Sequence, residues 1–238
     1  MTAATFPPLL TGRAVDGVTD PFAKACALAV LGCDAGLVVH NVQADRLRAA
    51  IVFAPERPLE EAMIALPVCG IGFQNALGAL APPEVAVHLT WSGGIEVNGA
   101  ACGRFRAAAS TRDPQAVPDW LVIGLDLPLL PVDDDAPGAT PERTSLYAEG
   151  CAEVDGVALL EAWARHMLVW LNTWEDAGAA RIHTEWMGLA KRVGEAVAVD
   201  GRQGTFLGVD ERFGMLLRDG RDTHLIPLSS RLEEGEAA

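Results

Sequence analysis

Residues 85–106 read VAVHLTWSGGIEVNGAACGRFR, and their spacing dictates antiparallel sheet. Val85, Val87 and Leu89, then Ile95 and Val97, fall at every second position, the period at which a strand turns one face to a core. Ser92-Gly93-Gly94 and Asn98-Gly99 separate the runs. Asn and Gly both tolerate the positive φ that a two-residue hairpin turn requires, so Asn98-Gly99 predicts a tight reversal. Two or three short strands joined by turns are expected here.

Helical spacing flanks this segment. Thr19 or Asp20 offers an N-cap oxygen, Pro21 occupies a first-turn position, and Phe22, Cys26, Ala29 and Val30 recur three or four apart. They predict a helix from Pro21 to about Cys33, closed by Gly32 and Gly36. Leu37-Val38-Val39 and Ala50 to Phe53 predict buried strands. Ala62, Leu66, Phe73, Ala76, Leu77 and Leu80 predict a long helix from Leu59, interrupted at Pro67 and ended by Pro82-Pro83. Val157, Leu160, Trp163, Met167, Trp170 and Trp174 predict a helix whose tryptophans form one buried stripe, with Gly178 at its C-cap.

After Trp186 the texture changes. Short strands are predicted at Ala196-Val199, Gly204-Val209, Met215-Leu217 and His224-Pro227, punctuated by Asp200-Gly201 and Asp219-Gly220. The segment from Thr111 to Tyr147 is rich in proline and acid, and Asp133-Asp134-Asp135 is expected to be a solvated loop. The expected class is α+β: a mixed or antiparallel sheet packed against helices, followed by a small C-terminal barrel.

Charge and cysteine usage bound the function. The chain has 238 residues, half of them hydrophobic, and a formal net charge of -14. Such a chain is globular, and it has no positive field with which to release counterions from nucleic acid or an anionic membrane surface. Neither nucleic acid nor membrane is an expected partner. Five cysteines, none at a metal-ligand or redox spacing, and no unbroken apolar run of membrane-spanning length, lead to the expectation of a cytoplasmic protein. His40, His88, His166, His183 and His224 have no ligand partners at metal-binding spacing, so no metal site is expected.

The strand pair resembles that of the biotin/lipoate protein ligase family, which runs Lys-Trp-Pro-Asn-Asp, a few apolar residues, Asn-Gly, a lysine and then Gly. This chain has Thr90-Trp91-Ser92-Gly93-Gly94, Ile95-Glu96-Val97, Asn98-Gly99 and Ala100-Ala101-Cys102-Gly103. Trp91, Asn98, Gly99 and Gly103 match. Val18-Thr19-Asp20 resembles the entry to the family's first helix, and Leu121 to Asp126, through Gly124, resembles its strand leading to Gly-x-Asn. Gly204 to Asp210 and Phe213 to Leu217 are similar to the SH3-like barrel behind many biotin-protein ligases. The resemblance implies a ligase-like domain over 1–183 and an SH3-like domain over 184–238. It also implies a ligand site among Thr19, Asp20, His40, Gln43, Arg46, Arg48, Trp91, Asn98, Gly103, Arg104 and Gly124.

The departures fall on the chemistry. A ligase of this family activates a carboxylate with ATP and passes the acyl group to a carrier lysine, so it needs cations and close backbone amides around the reacting phosphate. The family's Gly-Arg-rich loop is replaced by Val38 to Arg48, where Leu47 stands in place of glycine and Asp45 adds the wrong sign. Ala101 replaces the strand lysine, and the only lysines are Lys24 and Lys191. The leading expectation is a divergent relative that binds a small acyl or cofactor-like ligand, such as biotin or lipoate, or a carrier domain, without using ATP. The alternative is an active ligase with relocated groups, or an acyltransferase using Cys102 as nucleophile beside Arg104; Cys102 is otherwise a small buried hydrophobe. A homodimer is compatible with either.

Overall fold

The computed structural model describes residues 4–131 and 142–233, so Asp133 to Asp135 lie outside the described residues. The chain forms β1 (Thr11–Ala14), α1 (Pro21–Val30), β2 (Leu37–Val42), β3 (Arg46–Phe53), α2 (Leu59–Ala62), α3 (Ala65–Leu80), β4 (Val87–Leu89), β5 (Gly94–Val97), β6 (Ala100–Ala109) and β7 (Leu121–Pro128). There follow α4 (Gly156–Ala177), α5 (Ala179–Leu189), β8 (Ala196–Val199), β9 (Arg202–Val209), β10 (Met215–Asp219), β11 (Asp222–Ile226) and a 3₁₀ turn, Leu228–Arg231.

Among the described residues, seven strands make one mixed sheet in the order β1-β2-β3-β7-β6-β5-β4. β1 runs parallel to β2, and every other neighbour is antiparallel. The Asn98-Gly99 reversal is present, with φ of 50° and 94°, and Asn98 Oδ1 accepts the Ala86 N–H at 2.9 Å. The other four strands form an antiparallel sheet in the order β11-β10-β9-β8. Asp200 and Gly201 turn β8 into β9 with positive φ, as their sequence predicts. Position 184 falls inside α5, and the small sheet begins at Ala196.

Helices cover both faces of the large sheet. On one face, Phe22, Ala25 and Ala29 of α1 pack on Val39, Ala50, Val52, Ala108 and Val122. Asp20 caps this helix by accepting the Phe22 N–H at 3.1 Å, and α1 ends at Val30, where Leu31 and Gly32 fold back onto the last turn. On the other face, α3 and α4 pack as a pair. Trp163 Nε1 donates to Cys69 O at 3.0 Å, and Gly72 lets the Met167 backbone approach to where a Cβ would stand, 2.8 Å away. Trp163, Trp170 and Trp174 are all buried.

Several predicted boundaries move, among them those of the long helix and of β3. The long helix breaks at Met63 and Ile64, ahead of Pro67, because a proline in the first helical turn gives up an N–H that has no intrahelical acceptor anyway. Residues 59–80 are long and apolar enough for a membrane span, but 72% of their most apolar stretch is buried inside the fold. β3 starts at Arg46 rather than Ala50, because Arg46, Leu47, Arg48 and Ala49 already alternate open face and core.

Candidate functional site

The face of the large sheet that carries α1 is apolar only beneath that helix. Beyond it, a row of polar side chains crosses neighbouring strands: Asn41 on β2 opposes Arg48 on β3, Arg48 opposes Asp126 on β7, and Asp126 opposes Arg104 on β6. Residues opposite one another in a sheet share a face, which gathers these groups although 85 residues separate Asn41 from Asp126. Arg46 donates to both oxygens of Asp126, at 2.6 and 2.8 Å, and this bond holds its guanidinium above the ordinary arginine range. Arg106 donates to Asp20 and to Glu233, both at 2.8 Å, with its guanidinium 4.2 Å over the Phe22 ring.

The β2–β3 connection is a tight turn. Val42 pairs with Leu47, and the Gln43 N–H donates to Arg46 O at 2.9 Å. Leu47 is fully buried in the core. Gln43 Nε2 and Asn41 Nδ2 both donate to Gly17 O, at 2.9 and 3.0 Å, and Arg48 Nη2 lies 3.5 Å from the same oxygen. Arg48 Nε is buried without a partner among the described residues.

A second concave region lies at the seam between the two sheets. A cavity of about 690 Å³ is walled by Ser92 of the β4–β5 turn, by Glu96, Ala101 and Gly103 of the large sheet, by Lys191 and Arg192 of the connector after α5, and by Arg231 of the 3₁₀ turn. Glu96 is only 6% exposed, and its nearest cations are Arg192 Nη2 at 3.8 Å and Lys191 Nζ at 3.9 Å. The connector is held to the large sheet through the Lys191 N–H, which donates to Leu89 O at 2.8 Å. Arg192 has φ of 66°, a left-handed conformation uncommon outside glycine. Trp91 fastens the seam: its Nε1 donates to Phe213 O at 2.7 Å, and Arg231, paired with Asp200, lies 5.2 Å over its ring.

The residues expected from sequence are therefore dispersed. Asp20, Gln43, Arg46, Arg48 and Arg104 share the open face, with Thr19 exposed in the turn before α1; Trp91 and Gly103 line the cavity. Gly124 is filled by Phe22, whose ring lies 2.5 Å from where a Cβ would stand. Asn98 is occupied by Ala86 and by Glu149 Oε2 at 2.8 Å. His40 sits on the opposite face of β2 from Asn41, against Phe6 with 5.5 Å between ring centroids, and burial lowers its pKa. His88 opposes Glu96 across β4 and β5, with its Nδ1 buried and unpartnered among the described residues.

Cys102 and Arg104 do not share a face. Gly103 pairs with Ile95 and Ala101 with Glu96, which leaves Cys102 as the extra residue of a β-bulge and shifts the alternation by one. Cys102 is 1% exposed in the core beneath α3 and α4. Burial, with Glu149 and Cys151 adding to it, pushes its thiol up to about 12, which leaves almost no thiolate at neutral pH.

A family model described as the biotin/lipoate A/B protein ligase family matches residues 6–188. The chain belongs to that family. A second model, a domain of unknown function (DUF4444), matches residues 193–234. Among curated proteins, none matches the chain. A solved biotin protein ligase-like protein of unknown function from Silicibacter sp. TM1040 is 61% identical, with a TM-score of 0.93 over 98% of this chain and all of that one. Biotin protein ligase from Aquifex aeolicus shares the fold at far lower identity. Its apo structure gives a TM-score of 0.71 at 17% identity over 93% of this chain and 96% of that one. Its complex with biotin and ATP gives 0.67 at 15% over 92% and 94%.

Within this ligase frame, Ala101, at the position where the family resemblance calls for lysine, faces the seam cavity together with Lys191. Sequence reasoning missed Glu96, Arg192 and Arg231 as a group. The alternation of Ile95, Glu96 and Val97 marks Glu96 as facing away from the core, but the residues that bury it come from about a hundred positions downstream.

Proposed function

We propose that this chain is a divergent member of the biotin/lipoate ligase family that binds a small acyl or cofactor-like carboxylate, free or on a carrier domain, without conventional ATP-dependent adenylation. The observation that carries this is the charge of the seam cavity: among the described residues that line it, Lys191, Arg192 and Arg231 stand against Glu96 and Asp200, one net positive charge. That balance suits a single carboxylate, whereas a nucleoside triphosphate brings several negative charges that need several cations and close backbone amides. The other expected cation source, the β2–β3 turn, is closed, and its Arg46 is committed to Asp126. Ile95, Val197, Phe206 and Met215 give the cavity apolar wall for an acyl chain. In this account the small antiparallel sheet acts as an SH3-like barrel that closes the cavity, and the five free cysteines suit a reducing cytoplasm.

Calorimetric titration of the full chain with biotin, lipoate and octanoate, without nucleotide, tests the proposal. Saturable binding of one of them, with no acyl-adenylate in the mass spectrum after ATP and magnesium are added, is the expected result. Binding that requires ATP, with adenylate formed, would reject it. The second reading, an active ligase with relocated cations, has one observation in its favour: Lys191 opens on the same cavity as Ala101.

A further inference from the structure

We infer that the connector pair Lys191 and Arg192 forms the carboxylate-binding subsite of the seam cavity, and that Glu96 is the positioning residue that holds this pair when no ligand is bound. The inference rests on the proposal that the cavity takes a small carboxylate, and it assigns the end of the cavity at which the charged group sits.

Three features converge on these residues. Glu96 is buried in the cavity wall, and its approach to the two cations, 3.8 and 3.9 Å, is longer than a direct charge-assisted hydrogen bond. Among the described residues the cations are neutralised but not engaged, so they keep donors for an incoming carboxylate. Arg231, by contrast, is spent on both oxygens of Asp200 at 2.5 Å and on the Trp91 ring. On the open sheet face, Arg46 and Arg106 are likewise paired with carboxylates. Finally, Arg192 takes its left-handed backbone at this point in the connector, and such conformations persist where surrounding structure over-determines them.

The consequence is a ligand that bridges the two sheets. Its carboxylate meets Lys191 and Arg192, which the Lys191 N–H and Leu89 O anchor to the edge of the large sheet. Its apolar body lies against Val197, Phe206 and Met215 of the small one. Position 101 then needs no lysine, because the cation arrives from the opposite wall of the same cavity.

The test compares octanoate, lipoate and biotin with their uncharged primary amides by calorimetry on the full-length protein. The wild type is expected to prefer the acid at least tenfold over its amide. Lys191→Met should abolish most of that preference by weakening the acid alone, and Lys191→Arg should restore it. Glu96→Gln should tighten acid binding several-fold and leave the amide unchanged, a gain that a merely structural role for Glu96 does not produce. Near-ultraviolet circular dichroism checks that each variant keeps its fold, and Lys191→Arg carries the test should Lys191→Met fail to fold, since weakened acid binding in a folded Lys191→Arg counts against the subsite. Acid preference unchanged in Lys191→Met, or lost instead in Arg48→Gln or Arg104→Gln, would overturn the subsite while leaving carboxylate binding intact. Absence of binding by any probe would overturn carboxylate binding and the subsite with it.

Discussion

Arg46 closes on Asp126 through two hydrogen bonds, from Nε at 2.6 Å and Nη2 at 2.8 Å, across the β3–β7 pair. The arginine nearest the position that the family resemblance gives to the Gly-Arg-rich loop is thereby neutralised by its own sheet. Asp126→Asn should lower stability by about 1 kcal/mol, a modest figure because Arg46 stays partly exposed. By calorimetry the same variant should acquire weak pyrophosphate binding, with none expected in the wild type. Unaltered pyrophosphate binding would mean that Arg46 is not what the pair restrains.

Gly124 and Phe22 form a notch and its plug. A methyl group at 124 meets the Phe22 ring at 2.5 Å, so Gly124→Ala should cost roughly 1–3 kcal/mol through overpacking. Urea unfolding of Gly124→Ala, Phe22→Ala and the double variant should show strong non-additivity, because the smaller residue at 22 makes room for the added methyl. Additive losses would separate the two residues.

Local signals in this chain were legible wherever a few neighbouring residues decide the outcome. Asn98-Gly99 specifies its own turn, Asp20-Pro21 its own helix start, and the tryptophans of α4 their own buried stripe. The order of the motifs along the chain followed from the family resemblance, whereas the strand order of the large sheet, with the parallel β1 at its edge, did not. The site was less legible, because its contacts join distant segments. The bulge at Cys102 is invisible in the string and moves that residue to the face opposite Arg104. Gly124 has the appearance of a ligand contact until Phe22 is found to fill it, and Lys191 lies beside the small sheet in sequence while facing Ala101 in space.

Cys102 should be inert. In the folded protein at neutral pH, iodoacetamide should label the partly exposed Cys33 first and leave Cys102 and Cys69 unmodified until the chain unfolds. Cys102→Ala should retain ligand binding. Rapid labelling of Cys102, read by peptide mass spectrometry, would restore the nucleophile reading.

Acid should weaken the fold through its histidines. Burial lowers the pKa of His40 and of His166, so the unfolded chain takes up protons first as pH falls. Their contribution is complete above the unfolded value near 6.5 and is lost as pH drops through the lowered folded values. Urea midpoints should fall between about pH 7 and pH 5, and His40→Gln should flatten part of that slope. An equally steep slope in the variant would remove His40 from the account.

Trp91→Phe removes the donor that binds Phe213 O across the seam and leaves a buried carbonyl unpaired. A loss of about 1–3 kcal/mol is expected, together with faster proteolytic cleavage at residues 190–195. Cleavage at the wild-type rate would mean that the seam is held by other contacts.

The most direct test is ATP-pyrophosphate exchange by the purified full-length chain, with biotin, lipoate and octanoate supplied in turn. The closed β2–β3 turn, Ala101 and the single net positive charge of the described cavity lining predict exchange no higher than in a control without protein. Exchange above that control by a folded sample, with any of the three acids, would contradict the account and place Lys191 among the catalytic groups.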